Sequence, residues 1–171
     1  MGDIGQEARL GWQAEAISGF ARSELFDRTF QEGMELVEET AAYLDGAGRQ
    51  DSKLLSRNAA LAYASESMRL TTRLMQVASW LLVQRAVREG DMAPEAALDA
   101  SYRLGAEAEG MNPPSAEALP TPLSELLGRS ERLFEHVRHL DSRMYDQDVA
   151  HAASMPPVLA QIERLKDAFG T

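Results

Sequence analysis

The stretch that decides the fold is TFQEGMELVEETAAYLDGAGRQDSKLLSRNAALAYASESMRLTTRLMQVASWLLVQRAV, residues 29–87. Apolar residues recur in it at spacings of three and four, first before and then after the glycine-rich segment DGAGRQD at 45–51. Such spacing is typical of amphipathic helices, and a short glycine-rich segment between them is typical of a tight turn. The stretch therefore predicts two helices that pack antiparallel.

The first of these helices is predicted from Ser23 to Leu44. Ser23 is suited to cap its start, and Gly46 is placed where a helix often ends in the left-handed conformation. One face is apolar, and it consists of Phe26, Phe30, Gly33, Val37, Ala41 and Leu44. The acids Glu35, Glu38 and Glu39 lie off this face, which favours a solvated surface over a metal or acid–base site.

The second helix is predicted to begin at Asp51 or Ser52 and to continue to Glu89. It carries two apolar stripes; the first is Leu54, Leu61, Met68, Met75 and Leu82, and the second is Tyr63, Leu70, Leu74, Val77 and Leu81. Together they cover an arc of roughly 200°, where a surface helix needs little more than about 100°. The helix is thus expected at the centre of its bundle, with Met68 and Met75 buried, or against a second subunit, or both. The expected self-association residues are Leu70, Leu74, Val77 and Leu81.

The remaining strip of the second helix is polar, with Asn58, Glu66, Arg69, Arg73, Gln76 and Gln84, and it also holds Trp80. A tryptophan among arginines on an exposed face resembles an interaction hot spot. The predicted partner-binding residues are therefore Arg69, Arg73, Gln76 and Trp80. The alternative is that another segment of the chain covers Trp80.

The rest of the chain predicts one more long helix between less regular segments. Residues 1–22 are expected to form a variable N-terminal segment, and a flexible acidic linker with three prolines is expected at about 105–121, just before Pro122. The third helix is predicted from after Pro122 to about Asp146. Its apolar face consists of Leu123, Leu126, Leu127, Leu133, Phe134, Val137, Leu140 and Met144.

The C-terminal tail, 147–171, contains a short amphipathic segment after Pro156 and Pro157. Its apolar residues Val158, Ile162, Leu165 and Phe169 are the predicted cargo-binding tail, which is either mobile or docked on the bundle. The predicted fold class is all-α: an antiparallel three-helix bundle over 23–146 with this short helix at its end.

Composition excludes several functional classes. The chain of 171 residues has no cysteine, so no disulfide or zinc–thiolate chemistry is expected. A net charge of −10 argues against nucleic-acid binding. The most apolar window, 74–83, is too short to span a bilayer, and no signal peptide is visible, so a cytoplasmic protein is expected.

The charges are unevenly distributed along the chain. Residues 23–51 carry eight acids and two bases, net −6, whereas residues 52–89 carry six bases and two acids, net +4. The simplest interpretation is an intramolecular match between the first two helices. A basic helix that meets an acidic partner is the alternative.

No catalytic, cofactor or metal site is predicted. The sequence has no phosphate-binding glycine-rich loop and no nucleophile with histidine and acid in a known frame. His136 and His139 lie three apart, but no Glu-x-x-His segment completes a di-iron site, so surface histidines are favoured. The residues themselves indicate an interaction protein.

Three runs of the deciding stretch resemble the RcdA-like proteins of alphaproteobacteria, which regulate degradation of the response regulator CtrA. These runs are EGMELVEETAAYLDG, LSRNAALAYASESMRLTTRLMQ and ASWLLVQRAV. The likeness is long and ungapped from Thr29 to Val87 and weak in the linker and the tail.

The resemblance implies a homodimeric adaptor of three-helix-bundle fold with no enzymatic activity and no cofactor. It implies that the chain joins the ClpXP protease after a CpdR-like protein has primed it. Cargo would then be tethered directly or through a PopA-like adaptor that brings CtrA, in the cytoplasm or at the cell pole. A helical scaffold or signalling protein with no link to proteolysis is the alternative, and a small metal or cofactor carrier is a more distant one.

Overall fold

Five α-helices make up most of residues 3–105 and 118–145, the part of the chain that this computed structural model describes. They are α1 (Asp3–Ala21), α2 (Glu24–Asp45), α3 (Ala47–Lys53), α4 (Arg57–Glu89) and α5 (Thr121–Tyr145). Two short 3₁₀ turns, Ala96–Leu98 and Ala100–Tyr102, lie between α4 and α5. Within these ranges there is no strand, so the predicted all-α class is confirmed.

Helix α2 is the first predicted helix, and it begins as the sequence indicated. The Ser23 side chain accepts a hydrogen bond from the backbone N–H of Phe26 at 3.1 Å, which satisfies one of the free donors of the first turn. The expectation at Gly46 was wrong. Its φ of −115° is not left-handed, and its N–H bonds to the carbonyls of Ala42 and Tyr43.

The predicted turn at 45–51 and the unbroken second helix were also wrong. Most of that turn is the short helix α3, and the chain breaks only after Lys53. Ser56 then caps α4, because its hydroxyl accepts the backbone N–H of Ala59 at 3.2 Å. The far end of α4 was predicted correctly: it ends before Gly90, whose φ of 82° favours glycine.

Helix α4 lies at the centre, packed against α1, α2 and α5. Its start-to-end direction is opposite to that of α2, since Asp27 pairs with Arg88 and a side chain at Gly33 would meet Leu81. It runs in the same direction as α5, because Arg73 contacts Ser130 and Trp80 contacts Asp141. The prediction that all consecutive long helices are antiparallel is therefore wrong for this pair.

The parallel arrangement of α4 and α5 explains the long connection between them. Two parallel helices need a chain that returns along the bundle, whereas antiparallel neighbours need only a few residues. Residues 91–105, which we call the strap, make the first part of this return. The strap is held where α5 ends, since the Tyr145 hydroxyl donates to the Ala97 carbonyl at 2.6 Å.

Helix α1 belongs to the bundle, although the sequence predicted only a variable segment there. Ile17 and Ala21 are fully buried, and Phe20 packs on Trp80 with ring centroids 5.6 Å apart. The Gln13 side chain donates to the Tyr145 carbonyl at 2.8 Å. Helix α1 therefore covers the end of the bundle where α2 begins and α5 ends.

The third predicted helix is confirmed as α5. All of its predicted apolar residues are buried, and Leu133, Phe134 and Val137 lie in the central cluster with Leu70 and Leu81 of α4. Its start at Thr121 and end at Tyr145 lie within a residue or two of the predicted ones.

Candidate docking surface on helix α4

Four large apolar side chains of α4 point into solvent. Leu61, Met68, Met75 and Leu82 are 65%, 62%, 65% and 53% exposed, and we call these four residues the α4 stripe. Leu54, just before α4, is 86% exposed. The prediction that Met68 and Met75 are buried is thus wrong for the single chain.

The exposed face between Leu61 and Leu82 carries no exposed charged residue, and the exposed Arg57 and Arg85 lie just beyond its two ends. Between Leu61 and Leu82 the other exposed residues are Ala64, Thr71 and Ser79. These small side chains let a second helix come close. Single chains rarely expose long apolar surfaces, and a continuous one is typical of an interaction site.

The polar strip of α4, predicted to face solvent, is instead largely buried. Arg73, Trp80 and Gln84 are 3%, 2% and 0% exposed. Arg73 donates to the Ser130 hydroxyl at 2.8 Å and lies 3.6 Å from the Glu131 carboxylate. Helix α4 therefore buries most of its polar strip together with its second apolar stripe, and it exposes the first apolar stripe to solvent.

This placement corrects the predicted partner-binding strip. Trp80 and Arg73 are covered by other parts of the chain, so they do not form an exposed hot spot. Arg69 and Gln76 remain partly exposed. For Trp80 the alternative expectation is confirmed, since another segment of the chain covers it. That segment is α1, and the strap and α5 lie beside it.

The predicted self-association residues are also in the core. Leu70, Leu74, Val77 and Leu81 are at most 4% exposed. Periodicity identified both apolar faces of the helix correctly but assigned them the wrong way round. The face made of leucine and valine packs inside the chain. The face that carries Met68 and Met75 is exposed.

Asp141 joins α4, α5 and the strap, and nothing in the sequence marked it. It is buried, and one oxygen accepts from the Trp80 indole N–H at 2.9 Å and the Leu104 backbone N–H at 3.2 Å. The other oxygen accepts from the Arg103 guanidinium at 2.9 and 3.2 Å. Arg103 also lies over the ring of Tyr145, 5.0 Å from its centroid. A buried carboxylate with this many donors fixes the strap in position.

An open groove of about 530 Å³ lies between the strap and α4. Tyr102 and Arg103 form one wall, and Met75, Ser79 and Val83 lie on the α4 side. Met75 also belongs to the α4 stripe, so the groove and the stripe form one continuous surface.

The remaining predicted residues lie apart from this surface. Glu35, Glu38 and Glu39 are exposed on α2, as are His136 and His139 on α5, so the surface interpretation of both groups is confirmed. The cargo-tail residues Val158, Ile162, Leu165 and Phe169 lie outside the described residues. Within the described ranges, no three His, Cys, Asp or Glu side chains cluster as metal ligands.

The charge match between the first two predicted helices includes the pair Arg88–Asp27. Three other arginines of α4 pair elsewhere: Arg69 with Glu66 and Arg85 with Glu89 within α4, and Arg73 with Glu131 of α5. A second α2 contact comes from α5, where Arg129 pairs with Glu39.

Tyr145 makes the stability sensitive to alkaline pH. Burial, and after it the negative charge of Asp141, raises the pKa of Tyr145 to about 12. An unfolded chain loses the tyrosine proton near pH about 10. The stabilisation that accompanies the raised pKa of Tyr145 is therefore complete below pH about 10. It is lost as the pH rises to about 12, because the unfolded chain then binds fewer protons than the folded one.

We expect Tyr145→Phe to lower stability at neutral pH by about 1 kcal/mol, through loss of the bond to Ala97, and to weaken its decline above pH about 10. Urea unfolding of both proteins across this pH range measures the two effects. Tyr102→Phe, which removes an exposed phenol, is the control. An equally steep decline for Tyr145→Phe and the parent protein would contradict the assignment.

Fold and surface together define an all-α protein whose most distinctive surface is an exposed apolar helix face. No helix within residues 3–105 and 118–145 is long and apolar enough to cross a membrane. Comparison with known proteins gives the family. Residues 17–169 match the family model described as protein of unknown function (DUF1465). No curated protein matches.

The chain is also similar to a solved structure, the crystal structure of RcdA from Caulobacter crescentus CB15. The two are 71% identical; the match covers 75% of this chain and 97% of that one, with a TM-score of 0.65. The chain belongs to the RcdA family, whose domain the DUF1465 model describes.

Proposed function

We propose that the chain is a non-enzymatic adaptor that joins a primed ClpXP protease and tethers cargo for regulated proteolysis. Membership of the RcdA family supports this role. The observation that carries it is the α4 stripe, since a helix that buries its polar side and exposes an uncharged apolar side is suited to binding another protein. The partners implied by the resemblance are a CpdR-like primer, a PopA-like adaptor, and cargo such as CtrA.

The proposed adaptor is a homodimer joined through the α4 stripe. The order of the stripe, Leu61–Met68–Met75–Leu82, is the same in both directions. An antiparallel pair with a twofold axis near Thr71 and Thr72 would place leucine against leucine and methionine against methionine. Closed homodimers use the same patch on both subunits, so a palindromic stripe favours a second copy over an unrelated helix.

The length of the stripe agrees with such a pairing. From Leu61 to Leu82 it extends about 32 Å along the helix, at 1.5 Å per residue. Its spacing of seven residues is that of paired helices, and its exposed neighbours are small. The self-association proposed here therefore replaces the interface expected at Leu70 to Leu81.

Binding to immobilised ClpX, with and without a CpdR-like protein, tests the adaptor role. We expect the chain to be retained only when the primer is present, and to accelerate ClpXP degradation of a cargo protein such as CtrA. A scaffold with no link to proteolysis, the alternative function, would show neither effect. Met68→Asp in the α4 stripe should reduce both effects, whereas Leu25→Asp, which changes an exposed leucine of α2 outside the stripe, should not.

A further inference from the structure

The groove between the strap and α4 has one wall that is fixed before any partner arrives. Asp141 holds Arg103 and Leu104 of the strap, as described above. At the lower end of the groove, Gly105 approaches Gln76 so closely that an added side-chain carbon would lie 3.3 Å from its Nε2. A wall held by buried hydrogen bonds and packed closely against α4 needs little ordering when a partner binds.

The α4 stripe turns slowly around the helix. Seven residues fall about 20° short of two full turns in a straight α-helix, so successive members of a seven-residue stripe drift. From Leu82 back to Leu61 the drift adds up to about 60°, and it is directed to the strap side, where Ser79 and Val83 lie. Leu61 is thus the member of the stripe closest to the strap side of the helix.

The antiparallel pairing places Leu61 of the partner subunit opposite the part of α4 that lines the groove. The sum of paired residue numbers is 143, since 61 lies opposite 82 and 68 opposite 75. Residues 75–83, which line the groove, therefore face the partner's residues 60–68. A twofold axis across the helix pair keeps the strap sides of both copies on the same side of the dimer.

We propose that the groove is the socket for Leu61 of the partner subunit. One side of the socket is α4, and the other side is Tyr102 of the strap. This inference rests on the proposed homodimer. The occupant is apolar because the groove joins the stripe at Met75, and it is a second copy because the stripe is palindromic. Asp141 is a positioning residue, since it holds the wall of the groove in place and makes no contact with the partner subunit in the proposed dimer.

The absence of cysteine from the sequence allows a clean cross-linking test. A protein carrying Leu61→Cys is mixed with one carrying Tyr102→Cys and oxidised under non-denaturing conditions. We expect a covalent dimer in the mixture and little in either protein alone, because disulfides form only between closely placed cysteines. Leu25→Cys replaces Tyr102→Cys in the matched control and should give no covalent dimer above background.

A second measurement does not depend on cysteine geometry. Leu61→Ala and Tyr102→Ala should each weaken self-association at least about tenfold, and the double variant should be less affected than the product of both, since the two side chains share one contact. Independent effects, or a mixture that cross-links no better than the Leu25→Cys control, would overturn the socket. If Met68→Asp also left self-association intact, the stripe itself would be the wrong surface and the proposed homodimer would fail with it.

Discussion

Replacing Trp80 with alanine is expected to lower the free energy of unfolding by about 3 to 5 kcal/mol. The indole is 2% exposed and packs on Phe20, and its N–H is bonded to Asp141. Truncation leaves a cavity between α1 and α4 and removes one donor from a buried carboxylate. Domains of this size are stable by only about 5 to 15 kcal/mol, so the loss is a large part of the total.

Denaturant unfolding measures this loss, and the chain supplies a matched control. Trp12 of α1 is 41% exposed, so Trp12→Ala should change stability by less than about 1 kcal/mol. Trp80→Phe keeps one aromatic ring for packing but loses the N–H and the second ring of the indole, so we expect a loss of stability smaller than that of Trp80→Ala. Unchanged stability of Trp80→Ala together with weaker partner binding would restore Trp80 to an interface role and contradict its place in the core.

Trp80 also shows why the sequence could not place the polar side of α4. Its partner Asp141 is 61 residues away, and the partners of Arg73 are 57 and 58 residues away. A charged side chain is usually predicted to be exposed because burial without a partner is costly. The pattern along one helix holds no information on partners that other helices bring to it.

The apolar stripes illustrate the same limit in the other direction. Spacing of seven residues identified α4 as a helix and gave both of its apolar faces. It did not determine which of them packs inside the chain, since a core face and an interface between chains obey the same periodicity. The direction of α5 relative to α4 was signalled only by the length of the connection between them. Helix α1 was missed because it buries few large side chains, so its apolar pattern is weak.

Placing a charge on each face of α4 is expected to separate the two roles of the helix. Leu81 is fully buried, so Leu81→Asp should unfold the chain. Met68 is exposed in the single chain, so Met68→Asp should leave helicity and melting nearly unchanged. In the proposed homodimer, however, it would bury two unpaired carboxylates, one from each copy, opposite Met75.

The expected result for Met68→Asp is therefore a folded monomer. Burying one unpaired charge costs about 3 kcal/mol or more, so self-association should weaken by over about a hundredfold. Sedimentation equilibrium of the parent, Met68→Asp and Leu25→Asp proteins measures this change, and circular dichroism checks that each is folded. Leu25→Asp should associate as the parent does. A parent protein that stays monomeric, or a Met68→Asp protein that associates equally well, would contradict the proposed homodimer through the α4 stripe. In either case a partner of the exposed apolar side of α4 would have to be a protein other than a second copy of the chain.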